Sequence, residues 1–148
     1  MKKIIVTTFW FVLSILSGFS QTYQHVTILA GYPVLLEIAS EFSSDEVTEG
    51  QPVKLAVKNA VIIDGATAIP SRSIATGRVL KIKESSYNYA AVITIEILNV
   101  TTIEGKIIDA HGEANFKGQN KGEAVTVKIG QLLDATISNQ TSVRAVRQ

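Results

Sequence analysis

From Gln21 onwards the chain alternates apolar and polar residues and shows no long run at helical spacing. A two-residue period of this kind marks half-buried strands. Val53, Leu55 and Val57 alternate with Lys54, Ala56 and Lys58, and the pattern returns over Ile74 to Ile82, Tyr89 to Val100 and Glu123 to Ile129. The run Val92-Ile93-Thr94-Ile95 is rich in the β-branched residues that a pleated surface favours. Turn signals separate these runs: Glu49-Gly50, Asp64-Gly65, Glu84 to Asn88, Glu104-Gly105 and Gly118 to Gly122. Only Leu35 to Glu46 leaves room for a helical turn. The spacing predicts an all-β fold, a single antiparallel β-barrel or closely related sandwich of about eight to ten short strands. Its expected core is Val53, Leu55, Val57, Val79, Val92, Ile95, Val125 and Val127.

Three eleven-residue stretches align without gaps, Ile28 to Ile38, Ile69 to Val79 and Val127 to Ile137. Each pairs an apolar residue with a tight turn and a strand leaving it, as expected of a sheet that closes on itself.

The first twenty residues follow a different rule. Lys2 and Lys3 precede an apolar run from Ile4 to Leu16, and small residues Gly18 and Ser20 stand three and one places before Gln21. This predicts a secretory signal peptide over residues 1–20 and an exported β domain over residues 21–148. The run is shorter than the roughly 20 residues a spanning helix needs. No cysteine follows it, so the chain is not expected to be a lipoprotein. The expected location is the periplasm or the exterior, with membrane contact only through the signal segment before cleavage.

Composition narrows the function classes. The 148 residues are 46% hydrophobic, enough for the core of one ordinary domain. Fourteen basic side chains face 13 acidic ones, a balance that argues against a phosphate-tracking nucleic-acid binder. The absence of cysteine excludes disulfide scaffolds, thiol catalysis and cysteine zinc sites.

The order of turns and strands also resembles a known family. Ala30-Gly31 leads into an alternating strand, followed by Phe42-Ser43-Ser44, Glu49-Gly50 and the strand Val53 to Val57. Val61-Ile62-Ile63-Asp64-Gly65, Ala68-Ile69-Pro70, Gly77-Arg78-Val79 and Glu104-Gly105-Lys106-Ile107-Ile108 complete the order. This is similar to a widespread family of exported bacterial β-barrel domains and to the barrel domain of conjugation and type IV secretion channel scaffold proteins. The resemblance covers most of residues 28 to 137 and implies a barrel fold in the cell envelope. Arg72 stands where that family prefers glycine, and Tyr32 where threonine is usual.

Candidate chemistry is sparse. Asp109, His111 and Glu113 fall at alternate positions, so a strand through them presents all three on one face as potential metal ligands. Same-face neighbours on a strand are roughly 6.5 to 7 Å apart at the backbone, which strains three of them onto one ion, and a solvated strand face is the simpler reading. His25 is expected to be exposed. No serine has a nucleophile-elbow context, and no phosphate loop or dinucleotide fingerprint is present. Tyr87 and Tyr89 flank Asn88 near a loop tip, with Tyr87 the expected exposed member and a contact candidate. Lys81, Lys83 and Glu84 read as a solvated face.

The resulting expectation is a non-catalytic exported envelope domain, a structural or partner-binding module for another envelope protein, with no cofactor. A small apolar ligand-binding β-barrel and a metal-dependent enzyme using His111 remain the alternatives.

Overall fold

The computed structural model of the protein describes residues 21–147, and the signal segment predicted for residues 1–20 lies outside them. The described residues form twelve strands: β1 (Tyr23–Ile28), β2 (Pro33–Ile38), β3 (Phe42–Ser43), β4 (Pro52–Val57), β5 (Val61–Ile63), β6 (Ala66–Ile69), β7 (Ile74–Lys83), β8 (Val92–Thr101), β9 (Ile107–Lys117), β10 (Thr126–Val127), β11 (Leu132–Ile137) and β12 (Thr141–Arg147). Six of them close an antiparallel barrel in the order β11-β2-β4-β7-β8-β9. The described residues are therefore all-β with a closed barrel. A four-stranded sheet, β1-β12-β6-β5, and a two-stranded ribbon, β10-β3, complete it.

The strand directions divide the barrel into two unlike rims. Neighbours are antiparallel, so one rim holds the starts of β2, β7 and β9 and the ends of β4, β8 and β11. Every connection to the four-stranded sheet leaves from this rim, and the Ile103 amide, in the β8–β9 turn, donates to the Ala68 carbonyl of β6 at 3.0 Å. The opposite rim carries β3, β10 and the loops 84–91 and 118–125.

Alternation decides the inside. Val34, Leu36 and Ile38 of β2, Val53, Leu55 and Val57 of β4, Ile93, Ile95 and Ile97 of β8, and Leu133 and Ile137 of β11 are all buried. Each such side chain contributes roughly 1.5 to 3 kcal/mol by leaving water. Even eight-stranded barrels have interiors just wide enough for side chains, and this one has six strands. Two inward positions are glycine because the space is so small. A Cβ on Gly77 would lie 2.6 Å from the Glu96 carbonyl oxygen, and one on Gly112 would lie 2.5 Å from that of Asp134.

The repeated motif is the start of the barrel strands. In the three aligned stretches a turn is closed by bonds from Tyr32 to Leu29, Ser73 to Pro70 and Gln131 to Lys128, at 3.2, 3.3 and 3.3 Å. The third turn residue has positive φ in each: Gly31 at 81°, Arg72 at 65° and Gly130 at 86°. That is the conformation a type II turn requires. A fourth copy, not recognised in the sequence, runs from Val47 to Val57, with Gly50 at φ 86° and a 3.1 Å bond from Gln51 to Thr48. Each positive-φ residue donates its amide to the last residue of a partner copy: Gly31 to Ile137 and Gly130 to Ile38, Gly50 to Val79 and Arg72 to Val57. The copies thus form two equivalent pairs, β2 with β11 and β4 with β7. Their registers match: Leu36 faces Leu133 as Leu55 faces Ala75.

Seven of the eight expected core residues are buried, and Val92 is not. It has the opposite parity to Ile93 and Ile95 and faces outward, so Val92 and Ile95 could not both point inward. Twelve strands replace the expected eight to ten, because β3 and β10 are two-residue ladders too short to show alternation. Leu35 to Glu46 holds no helical turn: β2 continues to Ile38, and after β3 a bond from Glu46 to the Ser43 carbonyl closes a single turn at 3.0 Å. Of Glu123 to Ile129, only Thr126–Val127 is paired as strand.

Candidate functional site

Strand β9 places the possible metal ligands as their spacing predicts. Asp109, His111 and Glu113 are exposed and share the outer face, while Ala110 between the first two is buried and Gly112 between the last two is half-buried. They remain strung along the strand, each beside a different cross-strand neighbour. His111 lies opposite Thr136 of β11; its Nε2 is 3.0 Å from Thr136 Oγ1 and its Nδ1 is 3.2 Å from Ser138 Oγ. Both ring nitrogens are thereby engaged by hydroxyls, one donating and one accepting in the neutral ring. Glu113 faces Glu96, whose carboxylate holds Arg78 Nε at 2.6 Å. Asp109 faces Asn99, which accepts a bond from the Thr76 hydroxyl at 2.7 Å. Among the described residues no group of three histidine or carboxylate side chains converges on a common point. His25 is exposed on β1, opposite Arg144.

The opposite rim concentrates aromatic and charged groups. After β7 the chain makes a tight reversal in which Ser86 and Tyr89 exchange backbone hydrogen bonds of 2.9 and 3.1 Å. Tyr87 and Asn88 form its tip, and the Tyr87 side chain is 93% exposed. Tyr89 is 59% exposed, and Ala90 and Ala91 take the buried places beside it. Three backbone bonds tie this loop to the one after β9: Gly118 to Ala91 at 2.9 Å, Gly122 to Tyr89 at 3.2 Å and Ala91 to Glu123 at 3.3 Å. Tyr87 is thus presented from a braced turn.

Between the two loops lies a groove of about 320 Å³, lined by Lys83, Lys117 and Lys121 together with Tyr89. The Lys83 ammonium sits 4.8 Å from the centre of the Tyr89 ring. Sequence reading placed Lys83 on a solvated face and passed over Lys117 and Lys121. They lie far apart in the chain, and the pairing of Val92 with both Lys83 and Lys117 brings the first two together. A basic residue at the end of each of two long strands was the available signal, but it becomes meaningful only once register is known.

In comparison with known proteins, no family model and no curated relative matches this chain.

Proposed function

We propose that the chain is a non-catalytic, exported domain of the bacterial envelope that binds a protein partner through the rim carrying Tyr87. The observation that carries this reading is the 93% exposure of Tyr87 on a turn fixed by reciprocal backbone bonds. A large aromatic side chain held in water by a rigid support loses little conformational freedom when a partner covers it. That is the character of an interface anchor. The narrow barrel, filled by its own isoleucines and leucines, favours a contact outside it over a ligand within. The hydroxyl partners on both nitrogens of His111 likewise favour a structural role for that residue.

The test uses the immobilised full chain and detergent extracts of the native envelope. A retained protein should be lost on Tyr87→Ala, with retention falling at least tenfold, about 1.4 kcal/mol. Tyr23→Ala, at a tyrosine 58% exposed on the four-stranded sheet, should leave retention unchanged. Equal retention by both variants and the parent refutes the assignment of the rim.

A further inference from the structure

We propose that the groove between loops 84–91 and 118–125 binds a phosphomonoester borne on a polyhydroxylated group. This goes beyond the protein contact above: the groove takes in Asn88 and Tyr89 but not Tyr87.

The argument begins with register. Val92 is the direct partner of both Lys83 and Lys117, so the two lysines share its outward face on either side. Adjacent strands are about 4.8 Å apart, which puts the two backbones about 10 Å from each other, and two flexible four-carbon arms meet readily over the valine between them. Lys121 adds a third ammonium from the facing loop. No described carboxylate forms an ion pair with any of the three, and none lines the groove. Three ammonium groups outside any ion pair thus line one groove in a chain whose overall balance is only +1.

The number and kind of cations fit a phosphate. Ammonium groups bind phosphate oxygens as point charges and can approach its tetrahedral oxygens from several sides. Three of them favour a dianion over a single charge. Asn88 and Gln119 also line the groove, and a carboxamide both donates and accepts, as hydroxyl groups require. The Tyr89 ring, with Lys83 held beside it, supplies an apolar wall for the carbon face of a sugar or polyol. The volume, about 320 Å³, is at the small end of small-molecule sites. The three backbone bonds between the loops hold the two walls of the groove together.

Two sources carry this chemistry, a soluble sugar phosphate and the headgroup of a phosphomonoester lipid, and one experiment separates them. Glucose 6-phosphate is titrated into the isotopically labelled full chain while amide resonances are followed, and phosphatidylcholine vesicles carrying phosphatidylinositol 4-phosphate, whose headgroup is a phosphorylated polyol, are tested by co-sedimentation. We expect shifts at residues 83, 88–92 and 117–122, or sedimentation with the vesicles, in either case suppressed by added salt. Lys83→Gln with Lys117→Gln should weaken the interaction at least tenfold, and Lys121→Gln alone should weaken it less. Lys54→Gln, an exposed change on β4, should have no effect. The dispersion of the same spectra reports that each variant is folded, and Lys121→Gln serves alone if the double variant is not. Sugar-phosphate shifts without sedimentation assign a soluble ligand, and the reverse assigns a lipid. The proposal is overturned by no response to either probe up to about 10 mM, a concentration at which millimolar affinity would saturate the site. Shifts centred elsewhere, or equal weakening by Lys54→Gln, overturn it as well.

Discussion

Gly112→Ala tests whether this barrel is as tightly coiled as its geometry indicates. Alanine is ordinarily the better residue in a strand interior, because it removes glycine's extra freedom in the unfolded chain and so stabilises by about 0.4 to 1 kcal/mol. Here the added Cβ would stand 2.5 Å from the Asp134 carbonyl oxygen, 3.1 Å from Ile97 Cδ1 and 3.2 Å from the Ala135 Cα. Two of those three atoms are backbone of β11 and cannot rotate away, so β9 and β11 must separate by several tenths of an ångström. Overpacking of this kind costs about 1 to 3 kcal/mol. The net expectation is a loss of about 0.5 to 2 kcal/mol, or roughly 2 to 8 °C in Tm for a domain of this size. Urea unfolding followed by circular dichroism measures it through the midpoint at constant slope. Gly118→Ala is the internal control: its Cβ would meet nothing closer than 3.4 Å, and it should be neutral or slightly stabilising. Gly77→Ala, blocked by the Glu96 carbonyl oxygen, should behave like Gly112→Ala. A Gly112→Ala protein as stable as the parent, or more so, would refute the close approach of β9 and β11.

Arg72→Gly should stabilise the fold by about 0.5 kcal/mol. Relief of the left-handed conformation at φ 65° returns about 1 kcal/mol, and glycine's freedom in the unfolded chain takes back about half of it; a lower urea midpoint would contradict this. His111→Ala removes two exposed hydrogen bonds and should cost about 1 kcal/mol or less, with zinc content by elemental analysis the same before and after. Loss of bound zinc in that variant would restore the metal-site alternative. Mass spectrometry of the envelope fraction should find an N-terminus at or near Gln21, whereas intact Met1 in carbonate-washed membranes would identify the apolar run as an anchor.

The legible part of this fold was what a two-residue period encodes. Leu55 and Val127 are buried because each belongs to a run with one apolar face, and Gly31, Gly50 and Gly130 mark turns because the turn type needs their φ. Val92 failed for a physical reason: in Val92-Ile93-Thr94-Ile95 three of four residues are apolar, so alternation does not choose a face, and the register with β7 and β9 does. Bulges compound the difficulty. The ladder slips between Ile97 and Asn99, so Ile97 and Val100, three residues apart, both point inward. The candidate site was less legible than the fold. Tyr87 stood out locally, as an aromatic beside turn residues. The lysine groove did not, since it depends on which strand ends are neighbours and on three loop-to-loop backbone bonds that no composition or spacing records.

The repeat gives a further way to separate scaffold from site. Its four copies form two strand pairs with the same register and the same reciprocal amide bonds, and these pairs supply four of the six barrel strands. The long hairpin β8–β9 has no counterpart among the copies, yet it closes the barrel. Its outer ends carry Val92 and Lys117, and the loops that lead into and out of it carry Tyr87, Tyr89 and Lys121. Tyr87 and the three groove lysines therefore collect where the chain departs from its own repeat. Turn geometry accounts for Gly31, Gly50, Arg72 and Gly130, and barrel packing accounts for Gly77 and Gly112. Neither requirement accounts for an exposed tyrosine braced by two loops or for three lysines around one groove. Tyr87 and the lysine groove both lie on the rim opposite the four-stranded sheet, the rim to which the proposed contacts are assigned.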